Sequence, residues 1–257
     1  MTALEELPER WRRDRLVRSE GARLVGSRML ADEEALVTIA TGPHGTSVAG
    51  YGDGGSAARR VGELVGAGEL HGPLRWLTLP RDTDLGAAVA ADLGVEPLPG
   101  WDWLSVDAPP RPRPGERDVV RLDPSVDADA VHDCLAASNP GTDADPDGPH
   151  EVAWWGVRAD GGGLLGVIGA SGRGGSQPTW HLHGLGVRPS ARRRGLGRAL
   201  TATAVRDGLA AGAPWVSLGV WADNEPALAM YAALGFRTDH RRRSYRPVGE
   251  VATHPRR

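Results

Sequence analysis

Residues 185–200 read LGVRPSARRRGLGRAL. An alternating stretch, TWHLHGLGV over residues 179–187, runs into Arg188-Pro189, and proline cannot continue a central strand. The turn R-x-x-G-x-G follows (Arg192, Gly195, Gly197), and residues 196–212, LGRALTATAVRDGLAAG, take up a helical spacing closed by Gly212. Strand, glycine-rich turn and helix in that order form an anion cradle. The glycines admit a ligand to the backbone, successive N–H groups point outward, and the helix N-terminus adds partial positive charge. The neighbouring Arg193, Arg194 and Arg198 suit a pyrophosphate. Taken alone, the same stretch also reads as an exposed Arg-rich turn at a helix start.

Working outward, residues 117–123 (RDVVRLD) form a short strand and residues 128–138 (ADAVHDCLAAS) a helix. An acidic, Gly/Pro-rich loop, NPGTDADPDGP, comes next, then a strand pair, VAWWGVR and GLLGVIGAS. After the helix of the cradle come a strand, WVSLGVW, a helix, EPALAMYAAL, ended by Gly235, and a closing strand, FRTDHRRRSYRP. This order predicts a mixed α/β (α+β) sheet. Residues 108–116, APPRPRPGE, are too proline-rich for helix or central strand and read as a linker between domains 1–107 and 117–257. Upstream, strands are expected at ALVTIAT, TSVAG, LRWLTL and WDWLSV, with helices at SAARRVGELVGAG and LGAAVAADLG. With Gly54 laid on Gly195, Pro73 falls on Pro214, Leu77 on Leu218, Asp82 on Asp223, Leu93 on Leu234 and Gly94 on Gly235. An internal duplication is expected, with the first half as the degenerate copy.

Bulk composition narrows the function classes. The chain has 257 residues, 40% hydrophobic, and a net charge of −3. That balance gives no overall pull toward nucleic acid or membrane, and neither partner is expected. Every basic residue other than histidine is arginine, so arginine runs carry less weight here than elsewhere. Cys134 is the one cysteine, which excludes an intrachain disulfide and a cysteine zinc cage, and no metal is expected. Its setting in AVHDCLAAS reads as a small core residue. No apolar run approaches the ~20 residues of a membrane span. The first residues lack an apolar signal region, and a cytoplasmic location is expected.

A second motif decides between the two readings of the cradle. Asn224-x-x-Ala227 is followed by Met230-Tyr231 and Leu234-Gly235-Phe236. Together with Leu185-x-Val187-x-Pro189-x-x-Arg192-x-x-Gly195-x-Gly197, this resembles the GNAT superfamily of N-acetyltransferases over residues 118–247. The tandem arrangement is similar to that of two-domain actinobacterial acetyltransferases such as mycothiol synthase. The resemblance implies the acyl-CoA N-acyltransferase fold and acetyl-CoA as co-substrate. It also implies a small-molecule or peptide amine as acceptor, direct attack in a ternary complex, and a monomer or homodimer. Leu185, Gly186 and Val187 are implied to pair with the pantetheine arm, with the Val187 N–H polarising the thioester carbonyl. Arg192, Arg193, Arg194, Gly195, Leu196, Gly197 and Arg198 hold the pyrophosphate, and Asn224 contacts pantetheine. Tyr231 protonates the departing thiolate, since a phenol and a thiol have comparable ordinary pKa values, ~10 and ~8.5. Where some relatives place a glutamate base, Gly219 stands.

His183 lies where other relatives carry an acidic base, and strand alternation puts His181, His183, Leu185 and Val187 on one face. An imidazole is suited to take the amine proton; a buried structural histidine bonded to backbone is the other reading. A non-catalytic acyl-CoA sensor or scaffold is the alternative to an enzyme.

Other signals are set aside. Gly50-x-Gly52-x-x-Gly55 matches a dinucleotide fingerprint, but without the parallel strands and acidic residue that would follow it. In the overlay Tyr51, Thr83 and Ala90 stand where Arg192, Asn224 and Tyr231 are, so the first half lacks the side chains of the chemistry. Residues 241–243, three arginines, read as a solvated strand edge. Asp143, Asp145 and Asp147 form an acidic loop that, if functional, favours a cationic amine. Trp154 and Trp155 occupy opposite strand faces.

Overall fold

The computed structural model describes residues 4–174 and 178–250. The ends of the two expected domains, at residues 1 and 257, lie outside them. Three short helices open the chain: α1 (Glu9–Arg13), α2 (Arg15–Ser19) and α3 (Gly21–Leu24). Strands β1 (Arg28–Ala31), β2 (Ala35–Gly42) and β3 (Gly45–Gly52) follow, then α4 (Gly54–Gly66), β4 (Trp76–Pro80), α5 (Ala87–Asp92) and β5 (Val95–Val106). After the proline-rich segment come β6 (Val119–Leu122), α6 (Pro124–Ser138), β7 (Glu151–Arg158), β8 (Leu164–Arg173) and β9 (Thr179–Val187). The chain closes with α7 (Leu196–Ala210), β10 (Val216–Trp221), α8 (Glu225–Ala232) and β11 (Arg237–Pro247). α1 to α3 and β1 were not anticipated, being too short to show a periodicity.

Two compact units result. Of the described residues, the first takes those up to Trp103 with Val220–Asn224 and 238–250; the second takes Leu104–Gly219 and Glu225–Arg237. In the first unit the strands lie in the order β1-β2-β3-β4-β11-β5. β1–β2 and β2–β3 are antiparallel, β3–β4 parallel and β4–β11 antiparallel. Its core joins Val37 and Val48 of the sheet, Ala57, Val61 and Leu64 of α4, and Leu77 and Leu79 of β4.

In the second unit the order is β10-β9-β8-β7-β6, with β9 parallel to β10 and the other pairs antiparallel. α6 opens on Pro124, with Asp123 as its cap accepting from the Ser125 N–H. It buries Val131, Cys134 and Leu135 against Leu122, Trp154 and Val167. Both tryptophans are core: Trp154 stands on the α6 side, and Trp155 donates its indole N–H to Asp207 of α7 at 2.7 Å. α7 is rich in small residues because it lies close to the sheet. A Cβ on its Gly208 would sit 2.8 Å from Val216 and 2.9 Å from the Trp180 ring. Cys134 is buried, and burial pushes its thiol pKa up, as suits a core residue. No described helix is long and apolar enough to cross a membrane.

Candidate active site

β9 is the strand on which the candidate site is built, and its two edges differ. Toward β8 it is paired from Arg173↔Thr179 to Gly166↔Val187. Toward β10 the register runs Val216↔Trp180, Ser217↔His181, Leu218↔Leu182 and ends there. Residues 183–187 therefore present one backbone edge with no β10 partner in register, and Gly219 stands exposed opposite the end of the pairing. Such an edge can take an extended ligand as an added strand.

A bulge reshapes this stretch. Gly169 pairs with His183 while Val167 pairs with Gly186, so β9 carries one residue more than β8 between those pairs. Gly184, at φ 60°, supplies the left-handed conformation the bulge needs. The extra residue inverts the alternation beyond it, which corrects the expectation that His181, His183, Leu185 and Val187 share a face. His183 packs edge-on against Trp154, ring centroids 5.4 Å apart, on the α6 side. Leu185 and Val187 point the other way, with Cδ2 and Cγ2 at 3.9 and 3.8 Å from where a Cβ on Gly197 of α7 would lie. Gly186 faces α6, where a Cβ would meet Ser138 Oγ at 2.2 Å.

The turn after β9 holds the predicted cradle. Residues Pro189–Ala191 form a 3-10 turn, Arg193 takes φ 64°, and Gly195 is the left-handed N-cap of α7 at φ 81°. No side chain caps α7, and the Ala199 N–H to Gly195 O bond starts its ladder. The N–H groups of Leu196, Gly197 and Arg198 thus precede the ladder at the positive end of a 15-residue helix. Arg192, Arg193, Arg194 and Arg198 are exposed around it, while Leu196 is buried and anchors the turn. Nothing lies within 4 Å of a Cβ built on Gly195, and a Cβ on Gly197 would meet only ordinary contacts, the nearest Met230 Sδ at 3.7 Å. Arg192 donates to the carbonyls of Val187 at 3.1 Å and Ser138 at 3.2 Å, tying the turn to β9 and to the end of α6. The Asn139 side-chain amide donates to Leu185 O at 3.4 Å. Neither Ser138 nor Asn139 carried a motif, and only their position after α6 brings them here.

Tyr231, next to Met230 on α8, is buried and packs edge-on against Phe236 with centroids 5.6 Å apart. Burial pushes its phenol up to about 12. That changes the argument from comparable acidities. Full proton transfer from such a phenol to a thiolate of ordinary basicity is uphill by roughly 5 kcal/mol. Donation of a hydrogen bond to the developing thiolate carries no such penalty. Asn224 stands in the turn between β10 and α8, its N–H donating to Trp221 O at 3.1 Å, and is grouped with the first unit.

His183 has a partner the motifs did not reveal. Its Nε2 lies 3.0 Å from Glu151 Oε1, both side chains largely buried. Its Nε2 makes no hydrogen bond to backbone among the described residues. His181 instead meets Ser217 Oγ at 2.9 Å through Nδ1. In the acidic loop Asp145 pairs with His132 at 3.2 Å, and both are exposed.

The match to known proteins follows this geometry. Residues 125–236 match the model of the Acetyltransferase (GNAT) family, a span that holds α6, the free edge of β9, the cradle and Tyr231. This segment belongs to the GNAT family. Mycothiol acetyltransferase of Nocardiopsis dassonvillei is 40% identical over 83 residues, which are 32% of this chain and 22% of that protein. N-alpha-acetyltransferase RimI of Mycobacterium tuberculosis is 40% identical over 97 residues, 36% of this chain and 58% of that protein. The chain thus matches about a fifth of the length of the first relative and just over half of the second. Likeness of fold extends beyond the GNAT segment. A GCN5-related N-acetyltransferase from Kribbella flavida aligns with a TM-score of 0.57 at 16% identity, covering 93% of this chain and 96% of that one. One from Sphaerobacter thermophilus gives 0.58 at 16%, covering 86% and 79%.

Proposed function

We propose that the protein is an acetyl-CoA-dependent N-acetyltransferase working through the second unit. The observation that carries this reading is the coincidence of two vacancies in one place. β9 loses its β10 partner after Leu182, and the uncapped, arginine-ringed start of α7 adjoins the end of that same strand. An acyl-CoA has matching parts, an amide-bearing arm for a strand edge and a pyrophosphate for a helix N-terminus. The arm would lie along Leu185, Gly186 and Val187. The phosphates would sit on the N–H groups and side chains from Arg192 to Arg198, and Asn224 would contact pantetheine as the motif implies.

In the reaction the acceptor nitrogen bonds to the thioester carbonyl carbon, the C–S bond breaks, and its electron pair leaves on sulfur. His183 takes the proton that nitrogen loses. Tyr231 donates a hydrogen bond to the sulfur, and the thiolate acquires its proton from solvent. The acceptor is a small-molecule or peptide amine. No acyl-enzyme forms, and the buried Cys134 suits that.

The first unit is a degenerate copy of the same fold. With Gly54 laid on Gly195, α4 falls on α7, β4 on β10, α5 on α8 and β5 on β11, which supports a duplication. A panel of primary amines with acetyl-CoA, read by thiol release, tests the activity. Release dependent on one amine class supports transfer; binding without release from any amine would leave the sensor reading in its place.

A further inference from the structure

Around His183 the interior leaves polar atoms unmatched. Glu151 Oε2, His183 Nε2 and Trp154 Nε1 are all buried without a hydrogen-bond partner. Such groups are rare in folded proteins and concentrate where chemistry is done. The Glu151–His183 approach of 3.0 Å is a charge contact that falls short of hydrogen-bond geometry.

Several features of the backbone serve this contact. Glu151 begins β7 at a register shift, between Glu151 and Ala153, that re-aims its side chain. Gly148 lies beside that side chain, where a Cβ would make ordinary contacts with Glu151 Cγ and Oε1 at 3.4 and 3.6 Å. On the other side, a Cβ on Gly169 would fall 2.7 Å from Trp154 Cε2 and 2.8 Å from His183 Cε1. Any residue but glycine there would push the imidazole off the indole. The ring is thus held between Trp154 and Glu151. Its Nε2 is the nitrogen turned inward, toward Glu151. The Glu151 side chain is 13% exposed, and a carboxylate so far removed from water needs a charged or hydrogen-bonding partner. His183 is its ion-pair partner among the described residues.

We propose that Glu151 is a positioning residue of the transfer reaction: its carboxylate fixes the Nε2–H tautomer of His183 and so presents the Nδ1 lone pair to the acceptor amine. This rests on the acetyltransferase reading above. The amine proton passes to Nδ1, and the imidazolium so formed sits against the Glu151 side chain. The other titratable groups near the ring are His181 on β9, engaged with Ser217, and the acidic loop that packs Ala144 against Gly184. In that loop Asp143 and Asp147 are exposed, and Asp145 is paired with His132. Glu151 is therefore the one of these acidic groups in direct contact with the imidazole.

Nitrogen-15 NMR of histidine-labelled protein, with His183→Gln to assign the signal, reads the tautomer without any turnover. Wild type is expected to show the Nε2–H form and Glu151→Gln a mixture. With an accepted amine, Glu151→Gln should lower kcat about 10-fold near neutrality and leave KM for acetyl-CoA within about 2-fold. A wild-type Nδ1–H tautomer overturns the proposal, and that result needs no variant to fold. So does a folded Glu151→Gln with an unchanged tautomer. If the tautomer switches as expected but no amine yields thiol release, the pair stands and the acetyl-transfer reading falls.

Discussion

Two helix starts in this protein, α4 and α7, follow a parallel-paired strand by way of a glycine turn, yet they present opposite surfaces to an anion. At α7 no side chain caps the helix, and arginines 192, 193, 194 and 198 surround its free N–H groups. At α4 the Asp53 carboxylate accepts from the Ser56 N–H at 2.8 Å, and the packing of Thr83 Oγ1 leaves Gly54 no room for a Cβ. A negative charge already occupies the place a phosphate would take.

The strand gaps differ in the same sense. β3 and β4 pair through Ala49↔Thr78 and then part, much as β9 and β10 do after Leu182. In the first unit Arg242 fills the parting. It is 2% exposed, donates to Gly50 O at 2.6 Å and Thr78 O at 3.4 Å, and lies 4.8 Å over the Tyr51 ring. The expectation of a solvated arginine edge at residues 241–243 fails for Arg242. Strand alternation turns it inward, and the Gly50 and Thr78 carbonyls hold it. On the proposed reading a ligand fills the gap between β9 and β10, whereas a built-in guanidinium fills the one between β3 and β4.

The largest effect should come from Gly197→Glu. Wild type should gain about 2.7 kcal/mol of stability at a hundredfold excess of acetyl-CoA over Kd. The variant should lose nearly all of the accompanying thermal shift. Gly197→Ala is the folding control, because its Cβ meets only ordinary contacts. A full shift in Gly197→Glu would remove the cradle from the account.

Next is Tyr231, whose overlaid partner in the first unit is Ala90. Tyr231→Phe should cut turnover ~10²-fold with acetyl-CoA affinity unchanged, within the range for a donor that acts in the transition state. Because burial holds the wild-type phenol at about 12, the rate should show no alkaline decline from its ionisation below roughly pH 11. A descending limb near pH 10 that disappears in the phenylalanine variant would mean a phenol of ordinary acidity.

Arg242→Ala should act on stability alone. It removes the hydrogen bonds that the guanidinium gives Gly50 O and Thr78 O, at about 2–4 kcal/mol. Activity per folded molecule should hold, and no second acetyl-CoA site should open while Asp53 caps α4. Denaturant melts paired with thiol release check this, and a variant whose specific activity falls in proportion to its stability would break the separation. Asp53→Ala should be smallest, a slight fall in thermal midpoint near neutral pH. Backbone N–H groups hold the folded Asp53 carboxyl below its ordinary value, so its stabilisation is present above about pH 4 and fades as pH falls through the lowered value. A difference from wild type that persists at low pH would rule out a charged cap.

The sequence made much of the fold legible, because long periodic stretches such as 196–212 and 225–234 carry their own boundaries in glycines. It missed α1 to α3, which bury Trp11, Leu16, Val17 and Leu24 rather than follow any repeat, and β1, which is fixed by its pairing with β2. The cradle was readable because its chemistry lies in contiguous glycines and arginines. The histidine site was half readable. His183 sits in a strand next to a motif, but the bulge that turns it from Leu185 is one glycine torsion, and Glu151 comes from another strand 32 positions earlier. Gly50, Gly52 and Gly55 show the converse case. Their spacing suggested a dinucleotide site, whereas Gly50 and Gly52 clear space for Leu79 and Trp11.

The claim that only one of the two strand gaps takes acetyl-CoA is tested most directly by calorimetric titration of the full chain. The account predicts one acetyl-CoA bound per chain in wild type, one in Arg242→Ala and none in Gly197→Glu. Two per chain in wild type, or one per chain persisting in a folded Gly197→Glu, would contradict it.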